Sequence, residues 1–188
     1  NNGVISLTGK SSDGIYGKRA SLIENTWKID VLGAGSIGVF GTSSIINNTG
    51  EINIGDKGIG IYGETYLDPS DNSALNASSK ITNNGKITAG IGTNAIGIYG
   101  NENADAGATG VQEIILGVNS DIDMRNSEKG IGIYADKSSI NSTNSGIISV
   151  GKSGYGLYIN DESAVLDDLT LNLSGDNPVG IYTNGTPS

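Results

Sequence analysis

Apolar side chains recur two residues apart in seven short stretches of the chain. These pairs are Ile5 and Leu7, Ile29 and Val31, Ile52 and Ile54, Ile87 and Ala89, Ile122 and Met124, Ile148 and Val150, and Leu171 and Leu173. A spacing of two is the period of one face of a β-strand, so each pair predicts a short strand that buries one face. The sequence has no sustained apolar spacing of three and four residues, so helices are not predicted.

A second apolar phrase, Gly-Ile-Tyr-Gly with close variants, is repeated seven times. Its aromatic residues are Tyr16, Phe40, Tyr62, Tyr99, Tyr134, Tyr158 and Tyr182. Successive rings are 24, 22, 37, 35, 24 and 24 residues apart. The base period is therefore 22 to 24 residues, and two repeats carry insertions. Alternation within the phrase predicts that Ile59 and Ile61, like the matching pairs of other repeats, share the buried face while the ring points outward.

A third apolar position precedes the Asn-rich turns, and we assign it to Leu22, Ile45, Ile81, Ile140 and Val165. Three short strands per period, each with one inward face, wind into coils that bury this face only by stacking on one another. The predicted fold is all-β, a single-stranded parallel β-helix (solenoid) that spans residues 1–188 in about seven coils. At about 4.8 Å per coil, seven coils form a prism roughly 34 Å long.

Composition agrees with strands and tight turns, since the chain has 30 Gly and one Phe. We expect positive φ angles at the pairs Asn2-Gly3, Asn84-Gly85 and Asn184-Gly185. The chain has no Cys and no His, which removes disulfides, thiolate metal sites and the commonest general base. We therefore expect no metal and no cofactor. A net charge of −9 disfavours nucleic acid and anionic lipid as partners, and no apolar run is long enough to insert this segment into a membrane.

The combination of Asn-Asn-Gly-x-Ile at residues 83–87 with Gly-Ile-Gly-Ile-Tyr-Gly at residues 58–63 resembles the passenger repeats of the very large type V autotransporter adhesins of fusobacteria. The resemblance runs from Asn1 to about Thr183. It implies a right-handed β-helix that is one segment of a larger passenger domain, and we expect this segment to be monomeric. It also implies display on the bacterial surface by an outer-membrane translocator barrel that this sequence does not include. The implied partners are receptor proteins or glycans of host cells, or other bacteria.

Two insertions follow the aromatic phrase on consecutive coils, at residues 64–77 and 101–112. Long loops in a compact repeat are often functional. The candidate partner-binding residues in these insertions are Glu64, Tyr66, Asp68, Asp71, Glu102 and Asp105. Together they predict an acidic patch with one aromatic side chain, which would attract a basic partner surface. The alternative is that both insertions are tolerated decorations without a function.

The seven aromatic residues predict an outward ladder on successive coils. Ring stacking stabilises neighbouring coils by about 0.5–1.5 kcal/mol per pair, which is a sufficient structural role. The alternative is a stripe that stacks on sugars or docks a receptor. The glycine two residues before each ring predicts a bare strip beside the ladder.

Two carboxylate pairs, Asp121 with Asp123 and Asp167 with Asp168, raise the alternative of a secreted β-helix polysaccharide lyase or hydrolase. We expect no Lys or Arg in register with either pair on the neighbouring coil, so we predict no catalytic residues and no enzyme. The segments 33–38 and 58–63 match the dinucleotide fingerprint G-x-G-x-x-G. Because a strand or turn rather than a helix is expected after each match, we interpret both as repeat chemistry.

Overall fold

The computed structural model describes residues 1–65, 78–102, 110–142 and 145–185, and within these ranges the chain forms 22 strands and no helix. Every strand pairing in these ranges is parallel, and paired strands are one repeat apart in the sequence. The strands enter three sheets in turn as the chain advances. The predicted fold is therefore confirmed: the protein is a three-sided parallel β-helix of seven coils.

We call the three sheets A, B and C. Sheet A contains β1 (Val4–Leu7), β4 (Lys28–Val31), β7 (Glu51–Ile54), β10 (Lys86–Ala89), β14 (Asp121–Met124), β18 (Ile147–Val150) and β21 (Thr170–Leu173). Sheet B contains β2 (Asp13–Lys18), β5 (Ile37–Thr42), β8 (Ile59–Glu64), β12 (Ile96–Asn101), β16 (Ile131–Asp136), β19 (Tyr155–Asn160) and β22 (Val179–Asn184). Sheet C contains β3 (Leu22–Asn25), β6 (Ile45–Asn48), β9 (Ser79–Asn83), β13 (Gln112–Leu116), β17 (Ser139–Ser142) and β20 (Ala164–Leu166). A small pair at the A-to-B corner consists of β11 (Gly92–Thr93) and β15 (Ser127–Glu128).

Buried aliphatic side chains form vertical columns inside the three sheets. The column of sheet A is Ile29, Ile52, Ile87, Ile122 and Ile148, and that of sheet B is Val39, Ile61, Ile98, Ile133 and Leu157. All ten side chains are fully buried. Burying a side chain of this size is worth about 1.5–3 kcal/mol. In the last coil Leu173 and Ile181 are nearly half exposed, so burial depends on a neighbouring coil.

The glycine two residues before each ring faces the core and breaks the predicted alternation of sheet B. A Cβ on Gly60 would lie 2.5 Å from the carbonyl oxygen of Gly97 and 2.6 Å from Cγ2 of Ile87. Ile61 is fully buried, whereas Ile59 is only half-buried on the outer side. The prediction that Ile59 and Ile61 share the buried face was therefore wrong, as it was for the matching pairs. The predicted bare strip beside the rings was wrong for the same reason.

The buried column of sheet C lies one residue later than predicted in the first two coils. Leu22 and Ile45 are exposed, whereas Ile23 and Ile46 are buried and in register with Ile81. Where two apolar residues are adjacent, sequence alone does not decide which one faces inward. The prediction also failed in the last strand of this sheet, where Val165 is half exposed.

A ladder of buried asparagine amides runs along the corner between sheets C and A. Nδ2 of Asn25 donates to Oδ1 of Asn48 at 2.7 Å, and Nδ2 of Asn48 donates to Oδ1 of Asn83 at 2.7 Å. Nδ2 of Asn83 continues the chain by donating to Oγ of Ser120 at 2.8 Å. The asparagines of the repeated turns thus satisfy one another inside the protein, which the sequence analysis did not foresee.

The turns achieve their tight geometry differently from the prediction. Of the three Asn-Gly pairs, only Asn184-Gly185 contains a residue with positive φ. Gly85 is needed instead for close approach, because its Cβ would lie 2.2 Å from the carbonyl oxygen of Gly50 on the coil below. The left-handed residues of the A-to-B corner lie five positions before each ring. They are Ser11, Gly35, Lys57, Asn94, Lys129, Ser153 and Asn177.

Replacing Asn48 by Ala tests the amide ladder. The change leaves the Asn25 amide without its acceptor and the Asn83 carbonyl without its donor, and both groups are buried. An unsatisfied buried polar group costs about 1–3 kcal/mol, so we expect the free energy of unfolding to fall by about 2–4 kcal/mol. Urea denaturation measures it. Asn47→Ala, at the adjacent half-buried position, is the control and should change stability by about 0.5 kcal/mol or less. Equal losses in both variants would contradict a structural role for the ladder.

Candidate functional site

The seven aromatic residues of the repeated phrase form one continuous row on the outside of sheet B. Ring centroids of successive coils are 4.6–5.1 Å apart from Tyr16 to Tyr182. In the middle of the row, Phe40, Tyr62 and Tyr99 stack with interplanar angles of 3° and 7°. The parallel register of sheet B places each ring directly over the last. We call this row the aromatic ladder.

Stacking decides which part of the aromatic ladder a partner can reach. Both faces of Tyr62 are covered by the rings of Phe40 and Tyr99, so only ring edges and the hydroxyl face outward. A sugar ring or a cation binds to the face of an aromatic ring. The central ladder therefore serves the contact between coils, whereas Tyr16 and Tyr182, at the ends of the row, are the most exposed of its members.

From the third coil onward, a row of carboxylates and amides lies two residues after each ring of the aromatic ladder. Its consecutive members Glu64, Asn101, Asp136, Asn160 and Asn184 are paired in register. The Tyr62 hydroxyl donates to Oε2 of Glu64 at 2.6 Å, and Nδ2 of Asn160 donates to Oδ1 of Asp136 at 2.7 Å. This acceptor-rich row carries two negative charges, Glu64 and Asp136.

Partial burial and the neighbouring carboxylates disfavour ionised tyrosine in the ladder. Burial raises the pKa of Tyr62 above its ordinary range, and the hydrogen bond to Glu64 raises it further. Burial raises the pKa of Tyr99 to about 12, with the charge of Asp136 as the next cause. The hydroxyls of Tyr62 and Tyr99 are therefore neutral hydrogen-bond donors beside an acidic row.

Both insertions leave the β-helix from this row. Glu64 and Asn101, the last residues of β8 and β12, are register partners, and the backbone N of Thr65 donates to the carbonyl oxygen of Asn101 at 3.0 Å. The two insertions also rejoin the β-helix at adjacent positions, because the backbone N of Ser79 donates to the carbonyl oxygen of Val111 at 2.9 Å. Of the candidate partner-binding residues, Glu64 and Glu102 lie at these exits. The other four, Tyr66, Asp68, Asp71 and Asp105, lie outside the described residues.

One of the candidate carboxylate pairs has basic partners, contrary to expectation. Asp121 is in register with Lys86 on the neighbouring coil, and Lys86 Nζ lies 3.7 Å from its Oδ2. Arg125 binds both oxygens of Asp123, at 2.9 and 2.6 Å, and holds the pKa of that carboxyl below its usual value. The prediction of no Lys or Arg in register was wrong, because Lys86 precedes Ile87 as Asp121 precedes Ile122, and these two isoleucines are register partners.

The second candidate carboxylate pair, Asp167 with Asp168, lies in a more exposed place. Asp167 and Asp168 are both exposed, and Oδ2 of Asp168 accepts a hydrogen bond from the Ser145 hydroxyl at 3.2 Å. Among the described residues, no group of three or more Asp, Glu, His or Cys side chains is arranged to hold a metal ion. The described ranges also contain no helix long and apolar enough to cross a membrane.

The sequence analysis missed a groove at the corner between sheets C and A. The groove has a volume of about 620 Å³ and includes Trp27, which is 59% exposed. Gly50 and Gly85 occupy the matching place on the next two coils, as the register of the flanking strands shows. The signal was present in the sequence, since the chain has a single Trp and it stands where other repeats have the turn glycine.

In comparisons with known proteins, no protein-family model, no curated protein and no solved structure matches the chain significantly.

Raising the pH tests the environment of Tyr99. Its pKa in the folded protein is about 12, against 10.0 for the free side chain, so the folded state holds the proton longer than the unfolded state. This contribution to stability is complete below about pH 10 and is lost as the pH rises toward 12. The urea midpoint should therefore fall over this range, and Tyr99→Phe should fall less steeply. The same pH dependence in wild type and Tyr99→Phe would contradict this assignment.

Proposed function

We propose that the chain is a segment of a bacterial surface adhesin passenger, displayed outside the cell through an outer-membrane translocator barrel. In this proposal a rigid β-helical stalk carries protruding segments that attach to a receptor protein or glycan on a host or partner cell. The observation that carries the proposal is the common exit of the two insertions, where Glu64 and Asn101 are register partners. The two segments therefore leave the β-helix at adjacent positions on consecutive coils.

The rigidity of the stalk supports this reading. Hydrogen bonds between parallel strands join successive coils in all three sheets. Every buried column continues through the coils that carry the insertions. In coil 2 the single residue Ser43 occupies the place that residues 65–78 take in coil 3, because Thr42 pairs with Glu64 and Ile45 with Lys80. The insertions are thus additions to a complete coil, so the chain can vary them without disturbing the core.

The negative charge at the insertion exits indicates what kind of partner surface would bind there. Glu64, Glu102 and Asp136 cluster at the insertion exits, within a chain of net charge −9. An acidic surface with this composition attracts a basic patch and raises the association rate at low ionic strength. A partner with Lys or Arg near its own binding surface is therefore favoured.

A secreted β-helix lyase or hydrolase is the second candidate. The cluster of Asp121, Asp123, Lys86 and Arg125 on the outside of sheet A favours it. The low pKa of Asp123 disfavours it as a general acid, because that role in a hydrolase needs a carboxyl with a raised pKa. Incubation with pectin, alginate and glycosaminoglycans distinguishes the candidates. If the wild type releases unsaturated or reducing sugar ends and Asp123→Asn does not, the chain is an enzyme and the adhesin proposal is contradicted.

Deleting residues 66–78 together with 103–111 tests the adhesin proposal. The deletions join Thr65 to Ser79 and Glu102 to Gln112, which reproduces the direct path of Ser43 to Ser44 in coil 2. We expect an unchanged β-sheet circular dichroism spectrum and a urea midpoint close to that of the wild type. Attachment of protein-coated beads to epithelial and bacterial cells should fall to the level of uncoated beads.

A pair of charge variants provides the matched control for attachment. Glu64→Gln with Glu102→Gln removes two carboxylates from the exits, and Glu24→Gln with Asp167→Asn removes two exposed carboxylates elsewhere. We expect attachment to weaken only in the first variant, and most strongly at low ionic strength. Full attachment by the folded variant that lacks residues 66–78 and 103–111 would contradict the proposal. Unfolding of that variant would show that the insertions belong to the scaffold.

A further inference from the structure

The groove beside Trp27 crosses four successive corners between sheets C and A. Trp27 lies at one end on the second coil, Gly50 and Gly85 line the middle, and Asn119 lies at the other end on the fifth coil. Three steps between coils make the groove about 14 Å long. It therefore accommodates an extended ligand that lies parallel to the axis of the β-helix.

Trp27 supplies the groove with its large apolar surface. The side chain is 59% exposed, although burying an indole is among the largest gains a binding site can obtain from one residue. The next two coils have glycine at the matching place, so no side chain at that position fills the groove beside the indole. Gly50 and Gly85 are required there in any case, because a Cβ on either would collide with the backbone of the coil below.

Neutral hydrogen-bonding groups line one side of the groove. The hydroxyl of Thr49 donates to the carbonyl oxygen of Asn25 at 3.4 Å and so keeps its acceptor capacity. Oδ1 of Asn84 accepts from the backbone N of Asn119 at 2.8 Å, which fixes the side chain through its oxygen and leaves the NH₂ group as the donor. A ligand with many hydroxyl groups could pair with both kinds of group.

Charges on the other side of the groove alternate in sign. Lys28, Glu51, Lys86 and Asp121 follow one another in register on successive coils. Lys28 is bound to Asp30 at 3.3 Å, and Lys86 to Asp121 at 3.7 Å. Both lysines that line the groove are thus paired with a carboxylate, so the groove presents no cluster of positive charge to an anionic ligand. This arrangement favours an uncharged occupant.

We propose that this groove binds a neutral oligosaccharide. The Trp27 indole stacks on the apolar face of one sugar ring, while Asn84 donates to, and Thr49 accepts from, the hydroxyls of the following rings. Sugars combine an apolar ring face with a dense array of hydroxyls, which is the chemistry that this groove complements. The inference stands apart from the proposed function, because the groove and the insertion exits lie at different corners of the β-helix.

The single tryptophan makes the site directly observable, since all tryptophan emission comes from Trp27. Gluco-, xylo-, galacto- and manno-oligosaccharides of two to six units and the neutral N-acetylglucosamine series are titrated against the intact chain. At least one series should shift the tryptophan emission to the blue with saturation. Binding of the same sugar to immobilised protein should weaken about tenfold or more in Trp27→Ala. It should recover in part in Trp27→Phe.

Two controls separate this site from the rest of the surface. Tyr16→Ala removes an exposed aromatic residue outside the groove and should leave sugar binding unchanged, as should the deletion of residues 66–78 with 103–111. Absence of any emission change with all neutral series would overturn the proposal, and so would unaltered binding by Trp27→Ala. Preference for uronic acid or sulfated oligosaccharides over every neutral series would overturn the assignment of ligand class.

Discussion

Stacking of each coil on the next is the constraint on which the structure depends. A single coil has a few aliphatic side chains and no second layer against which to bury them, so Ile29 is dry only because the coils on either side enclose it. Parallel register places equivalent residues of successive coils directly over one another, so the same favourable contact is repeated along a column. The same register produces the aromatic ladder outside sheet B and the amide ladder inside the corner. Stability is then approximately a sum of interfaces between neighbours.

The sequence was sufficient to predict the architecture because the same apolar pattern recurs in all seven repeats. A spacing of two between Ile52 and Ile54 and a period of 22 to 24 residues together specify strands, coils and their number. Finer features failed where the pattern is locally ambiguous. At Ile45-Ile46 either residue satisfies the apolar position, and only pairing with Ile81 selects the second. At Gly60 the absence of a side chain hid an inward-facing position, because a glycine carries no hydrophobic signal.

The candidate sites show a similar division. Alternation predicted the row of rings on successive coils, but it gave no indication that stacking would cover the face of Tyr62. The register of Lys86 with Asp121 follows from matching Ile87 with Ile122 in the repeat, but the apolar pattern alone gives no indication that the outward-facing residues beside them form an ion pair. The asparagines of the repeated turns looked like turn formers, whereas Asn48 is a buried structural group. Trp27 departs from the repeat, so the periodicity of the sequence does not assign it a role.

Hydrogen exchange of backbone amides, followed residue by residue by NMR, tests the central claim most directly. If stacking between neighbours supplies the stability, protection is highest in β8, β12 and β16, which lie between complete coils, and decreases toward β1, β2, β21 and β22. The decrease should be stepwise, one coil at a time. Equal protection in all seven coils, or lowest protection in the central ones, would contradict this account.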